Sequence, residues 1–310
     1  MSNVSQHLIS GALSGFASGI ALQPFDLLKT RMQQGDGGVV GQKQKLRIIG
    51  TAREVVRTNG VLGLWRGTTA TLLRNIPGVA LYFTGLNQLR TVLSTSPYFT
   101  SMRKSETNTH GTTLPKLTSQ GNLLSGAFTR VSVGFVLNPF SVLKARYESN
   151  LYAYSSLLGA LRSMARGGPS ELFKGFLPSA LRDAPYAGLF IAFYEGIKHE
   201  TNLLMPSSSP LHAAGVHSFS AASAGAIATM VTHPFDVVKT KMQVRSEQRY
   251  QGLMQTVVTV WKQRGVPGFF DGAVLRLSRK VLSSAIGWAV YEGMLIFMRT
   301  TGKQSPLKSS

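Results

Sequence analysis

Arg182 and Asp183 are adjacent in a largely apolar stretch, Pro178 to Ile197, and together they could grip a zwitterion. Neighbouring residues on a helix point about 100° apart, so such a pair can hold two ends of a small ligand. A guanidinium fork suits a carboxylate through two parallel hydrogen bonds, and the aspartate suits an ammonium group. An α-amino acid presents those two groups two bonds apart. A dicarboxylate or a nucleotide would be repelled by Asp183. Arg130 is a further charge inside an apolar segment, Asn122 to Arg146. A charge in such a place is costly and usually faces a cavity.

Other chemistries find no footing. There is no cysteine, which excludes a disulfide framework, a thiolate metal site and a thiol nucleophile. His7, His110, His199, His212, His217 and His233 lack metal-ligand spacing and read as structural. No Walker loop, dinucleotide-binding glycine pattern or nucleophile elbow is present, so an enzyme reading has no site, and no cofactor is implied. The chain carries 33 Lys plus Arg against 13 Asp plus Glu, a formal charge of +20 in 310 residues. Such a balance suggests a nucleic acid or an anionic membrane surface as partner. The basic residues are scattered through apolar segments instead of forming one patch, so a nucleic-acid partner is rejected. The polar, Arg-free stretch Met1 to His7 reads as neither a secretory signal nor a transit peptide.

The elements that hold these charges come from a threefold repeat. Pro24-Phe25-Asp26-Leu27-Leu28-Lys29, Pro139-Phe140-Ser141-Val142-Leu143-Lys144 and Pro234-Phe235-Asp236-Val237-Val238-Lys239 match one another. A second element follows each: Gly60 before Trp65-Arg66-Gly67, Gly168 before Phe173-Lys174-Gly175, and Gly265 before Phe270-Asp271-Gly272. Its internal spacing is the same in all three, and chance agreement of two elements in three copies is remote. The repeats run over approximately 5–95, 118–203 and 215–300 of a single domain, 1–310. In each, an apolar segment enters the Pro motif, a short amphipathic helix follows, and a second apolar segment ends the unit. Six segments of roughly 20 residues predict transmembrane helices. Their hydropathy is modest, as for a bundle around a water-filled cavity. Small residues four apart upstream of each Pro, such as Gly15 and Gly19, or Ala221, Gly225 and Thr229, read as helix packing. Arg130 stands where the other copies have Gly15 and Gly225.

Three copies of Pro-x-acid-x-x-base, each followed by Gly and aromatic-x-Gly, resemble the signature of the mitochondrial carrier family across essentially the whole chain. The resemblance implies an all-α membrane protein with six tilted transmembrane helices, threefold pseudosymmetry and short matrix helices. It implies the mitochondrial inner membrane, both termini in the intermembrane space, alternating access through one central site, and a monomer. Asn122 to Arg130, Arg146 to Ser149 and Arg182 to Leu189 are similar to the family's glycine carriers, which supply glycine for haem synthesis. Another small zwitterion as substrate, or a non-transporting scaffold, stays open.

The family pattern also assigns roles. At the matrix gate Asp26 would pair with Lys144 and Asp236 with Lys29, while Ser141 cannot pair with Lys239 as an ion. Gln33 and Gln243 occupy brace positions beneath, and the second repeat has Glu148 there. At the cytoplasmic gate Tyr194-Glu195 with Lys198 matches fully. Tyr291-Glu292 lacks its base, and Asn87 replaces an acid although Arg90 is present, so only Glu292 with Arg90 remains as a pair. Aligning the repeats puts Arg74, Arg182 with Asp183, and Arg279 with Lys280 at the substrate contact points, with Arg130 beside them. Gly60, Gly67, Gly168, Gly175, Gly265 and Gly272 would open helices whose N-termini hold lipid phosphate, which the resemblance names as cardiolipin. Glycine chemistry at a turn explains the same residues.

Overall fold

The computed structural model describes residues 15–35, 44–96, 118–152, 154, 156–204 and 210–302. Among them every regular element is helical: α1 (Gln23–Gln34), α2 (Gln44–Asn59), α3 (Thr68–Ser94), α4 (Ser119–Val136), α5 (Asn138–Glu148), α6 (Leu157–Arg166), α7 (Pro169–Leu172), α8 (Phe176–Leu204), α9 (Pro210–Val231), α10 (His233–Val244), α11 (Leu253–Gly268) and α12 (Ala273–Gly302). A helical stretch over 15–21 precedes α1.

The Pro motif breaks each repeat's first helix at one place. Pro lacks an N–H and its ring crowds the carbonyl four residues back. Leu22, Leu137 and Thr232 therefore leave helical geometry, with ψ of 5°, 7° and 0°, and the chain restarts as α1, α5 and α10 with Pro in the first turn. Between Gly121–Val136 and Asn138–Glu148 the bend is 65°. The residue before each Pro then serves one purpose in three chemistries. Gln23 Nε2 donates to Arg66 O (3.2 Å), Asn138 Nδ2 donates to Lys174 O (3.3 Å), and His233 Nε2 lies 3.0 Å from Asp271 O. The three acceptors are the middle residues of the aromatic-x-Gly elements, so the repeat closes on itself.

Each half-helix after the break packs its apolar face against a short amphipathic helix. Leu27, Leu28 and Met32 meet Val55 of α2. Val142 and Leu143 meet Ala160 and Met164 of α6. Val238 and Met242 meet Val260 of α11. These are three small related cores rather than one central one. The centre is polar instead: Gln23, Gln33, Gln243, Glu148 and His233 are all buried. Large apolar side chains lie outward, among them Ile76 and Phe83 on α3, Phe128 on α4, Phe219 on α9 and Val281 on α12.

The six expected spans do not stand out by apolar length alone. No single described helix is both long and apolar enough to cross a membrane, and one bent pair, α4 with α5, passes only together. The reason is local. Helices α3, α8 and α12 have the length, at 27, 29 and 30 residues, but carry Arg74 and Arg90, Arg182 and Asp183, and Arg276, Arg279 and Lys280. The first helix of each repeat is cut by its Pro.

Candidate functional site

The three broken helices tie together at the Pro-motif end. Asp26 accepts the Lys144 ammonium at 2.6 Å, and Asp236 that of Lys29 at 2.5 Å. The third position has no carboxylate; there Ser141 Oγ accepts Arg74 Nε at 2.7 Å. Below the ion pairs lie the braces. Gln33 Nε2 donates to Asp236 (3.2 Å) and its Oε1 accepts Thr240 (2.7 Å). Gln243 Nε2 donates to Lys174 O (3.3 Å). Glu148 accepts Gln23 Nε2 (3.0 Å) and Thr30 Oγ1 (2.7 Å). Gln23 faces both Arg66 O and the Glu148 carboxylate, so one amide reconciles two acceptors that would otherwise repel.

A further cyclic set closes the same end. Arg31 donates to Glu148 O (3.3 Å), Arg146 to Gln243 O (3.1 Å) and Lys241 to Gly35 O (2.6 Å). Each of these bases follows its Pro-motif lysine by two residues. Each reaches the carbonyl end of the next broken helix around the ring, where cations are favoured.

Above this floor lies a cavity of about 360 Å³. All six charges expected at the substrate site line it: Arg74, Arg130, Arg182, Asp183, Arg279 and Lys280. Arg276, Asn75 and Tyr186 line it as well, and the sequence reading did not single them out. Arg276 has no basic counterpart at the matching positions Thr71 and Ser179, so repeat comparison does not reveal it. Tyr186 holds Lys280, whose ammonium sits 3.7 Å from the ring centroid and donates to Thr229 Oγ1 at 3.1 Å. Arg130 lies over the Tyr82 ring at 5.9 Å.

Arg182 and Asp183 do not point apart. Arg182 Nε and Nη2 grip the Asp183 carboxylate at 2.8 and 3.0 Å, and Nη1 holds Asp236 at 2.7 Å. The flexible arginine stem lets the guanidinium fold back on its neighbour, which the 100° rule for backbone directions does not capture. Three of the five Arg182 N–H donors are thus taken by two carboxylates. Arg279 similarly rests on Asp26.

All six glycines of the second repeat element have positive φ, from 62° to 93°. Close packing adds a second reason at Gly67 and Gly175, whereas a Cβ at Gly272 would make ordinary contact. A Cβ at Gly67 would lie 3.0 Å from Glu148 Cγ, one at Gly175 2.8 Å from Gln243 Cγ, and one at Gly272 3.4 Å from Lys29 Cγ. Gly67 precedes α3, whereas Gly60 and Gly168 precede only short turns, Val61–Trp65 and α7, and Gly265 sits in a kink of α11.

The opposite end is sparse. Asn87 and Glu195 are exposed. Arg90 Nε is buried without a hydrogen-bond partner among the described residues. Lys198 lies over the Tyr194 ring at 6.0 Å, and Tyr194 OH lies 2.7 Å from His217 Nδ1 on α9. The side chains of Tyr291 and Glu292, and with them the expected Arg90–Glu292 pair, lie outside the described residues.

A family model described as "Mitochondrial carrier protein" matches residues 1–97, 115–202 and 212–301. The chain is 61% identical to a mitochondrial glycine transporter of Laccaria bicolor, over 97% of this chain and 100% of the relative. It is 42% identical to one of Aspergillus niger, over 95% and 91% of the two chains, and 40% identical to one of Mycosarcoma maydis, over 92% and 82%. With three matched segments, one for each Pro motif and its aromatic-x-Gly partner, the chain belongs to the mitochondrial carrier family.

Proposed function

We propose that this protein carries glycine across the mitochondrial inner membrane into the matrix, where it serves haem synthesis, by alternating access through the central cavity. One observation carries the reading: a cavity lined by Asp183 among many cations, in a chain 61% identical to a glycine transporter along its whole length. A carboxylate acid residue beside several bases suits a zwitterion better than a dianion. Glycine among zwitterions comes from the relatives.

The mechanism follows from charge. The Pro-motif end, matrix-facing in this reading, is the closed gate: Asp26, Lys29, Ser141, Lys144, Asp236 and Lys239 above Gln33 and Gln243. The opposite gate, formed by Asn87, Arg90, Tyr194, Glu195, Lys198, Tyr291 and Glu292, opens in alternation with it. Arg74, Arg130, Arg182, Asp183, Arg279 and Lys280 contact substrate. Bound substrate competes for the ion pairs that hold the floor shut, which lowers the cost of opening toward the matrix. The outward apolar side chains support six tilted spans in lipid, with both termini in the intermembrane space. The protein works as a monomer, binds no nucleic acid, and holds cardiolipin phosphate at the six motif glycines, Gly67, Gly175 and Gly272 lying nearest the starts of long helices.

Purified protein in proteoliposomes, offered a panel of labelled amino acids, tests the function. Saturable glycine uptake above protein-free vesicles is expected. No glycine uptake, or preference for an unrelated solute, overturns it. Protease added to mitoplasts tests topology: termini protected from outside contradict it.

A further inference from the structure

Two of the three gate positions are built alike. Asp26 takes Lys144 from the second repeat at 2.6 Å and Arg279 from the third. Asp236 takes Lys29 from the first repeat at 2.5 Å and Arg182 from the second at 2.7 Å. Each carboxylate therefore collects one gate lysine and one arginine. The arginines are equivalent: Arg74, Arg182 and Arg279 each follow the glycine of aromatic-x-Gly by seven residues. Continuing the ring, the third position should collect Lys239 and Arg74. It does bring Arg74 in, at 2.7 Å from Ser141 Oγ, but a hydroxyl neutralises no charge. Lys239 is 9% exposed and lines the cavity, and among the described residues no carboxylate pairs with it. A buried ammonium without a counter-charge is expensive. The ring is thus complete in its cations and short of one carboxylate, on the cavity side.

We propose that the carboxylate of the transported substrate supplies that missing group, binding between Lys239 and Arg74 at Ser141. This rests on the glycine-carrier reading and sharpens it. Arg182 already meets two carboxylates, Asp183 and Asp236, whereas Arg74 pairs with none among the described residues, so Arg74 is the carboxylate's anchor. One carboxylate oxygen accepts the Lys239 ammonium; the other accepts the terminal Arg74 N–H groups that its bond to Ser141 leaves over. The ammonium end then turns to Asp183, which faces the same cavity. A substrate lodged here touches the gate itself, so occupancy reaches the floor without a relay.

Labelled glycine uptake in proteoliposomes tests the proposal, with acetate (carboxylate only) and glycinamide (ammonium only) as competitors. Lys239→Gln should raise the half-saturating glycine concentration about tenfold or more, the scale of a lost charge-assisted bond. It should also abolish competition by acetate while glycinamide still competes. Ser141→Asp fills the position internally and should act in the same way, so it carries the test if Lys239→Gln does not fold. Half-saturation within twofold of the parent in both variants, or a lower maximal rate alone, would mean that Lys239 only shapes the gate and overturns the proposal. Replacing chloride by gluconate should leave glycine half-saturation unchanged. A chloride requirement that Lys239→Gln removes would assign the position to an inorganic anion and overturn the proposal too. If the parent protein takes up no glycine, the function reading itself fails, a result separable from the rest.

Discussion

The two ends of the cavity are held by different physics. At the Pro-motif end, buried carboxylates, amides and hydroxyls bond one another across repeats: Asp236 alone meets Lys29, Arg182 and Gln33. At the other end, some 20 residues further along α3 and α8, Asn87 and Glu195 are exposed and Lys198 lies over the Tyr194 ring. A buried network is costly to break from one side, whereas exposed charges contribute little each. The comparison teaches that burial, and not a count of charges, separates the two ends.

Breaking the closed end should have the largest effect. Asp236→Asn leaves Lys29 and Arg182 short of a counter-charge and should cost about 3 kcal/mol or more, read as a fall in the thermal unfolding midpoint of detergent-purified protein. Unchanged melting would mean the ring is not what holds this end. Next come matched glycine substitutions. Gly175→Ala meets both a φ of +70° and a Cβ 2.8 Å from Gln243 Cγ, so a loss of about 1–3 kcal/mol is expected. Gly196→Ala, in helical α8 with open space at its Cβ, should be neutral or slightly stabilising, since Ala is the better helix former. Equal losses at both sites would erase the contrast between the ends.

A gain at the open end should be smaller. Asn87→Glu offers Lys198 a partner and should contribute about 0.5–1 kcal/mol, seen as slower net uptake with little change in melting. The smallest effect concerns Glu171, outside the spans. Burial alone would raise its carboxyl, but hydrogen bonds from Lys174 and Arg146 hold it below the usual glutamate range. A depressed folded value means the contribution is present above the ordinary glutamate pKa and is lost as pH falls. Glu171→Gln should therefore lower melting slightly near pH 7, and the gap from the parent should shrink on acidification below about pH 4. A gap that widens there would contradict the assignment.

The repeat, the two gate pairs and the cavity charges were legible because they depend on residue identity at fixed spacing. The braces Gln33, Gln243 and Glu148 were legible in the same way, but the contacts made by the residue before each Pro were not. Gln23, Asn138 and His233 occupy one place and reach the matching carbonyl, but a repeat read by identity sees three unrelated residues. The shared signal, a side-chain N–H before each Pro, is visible only once function replaces identity. Arg276 stands alone in its repeat position and gives no signal of that kind. The closure of Arg182 on Asp183 was hidden for another reason: backbone direction says where a long side chain starts, not where it ends.

The chain lacks cysteine, so a single thiol can report access to the cavity directly. Asn75 lines it. In mitoplasts carrying Asn75→Cys, a membrane-impermeant thiol reagent added from the intermembrane-space side should label the protein, and glycine should slow that labelling several-fold. Labelling only from the matrix side, in inverted inner-membrane vesicles, or labelling indifferent to glycine, would contradict a glycine-occupied cavity that is open outward and closed by the Pro-motif ring.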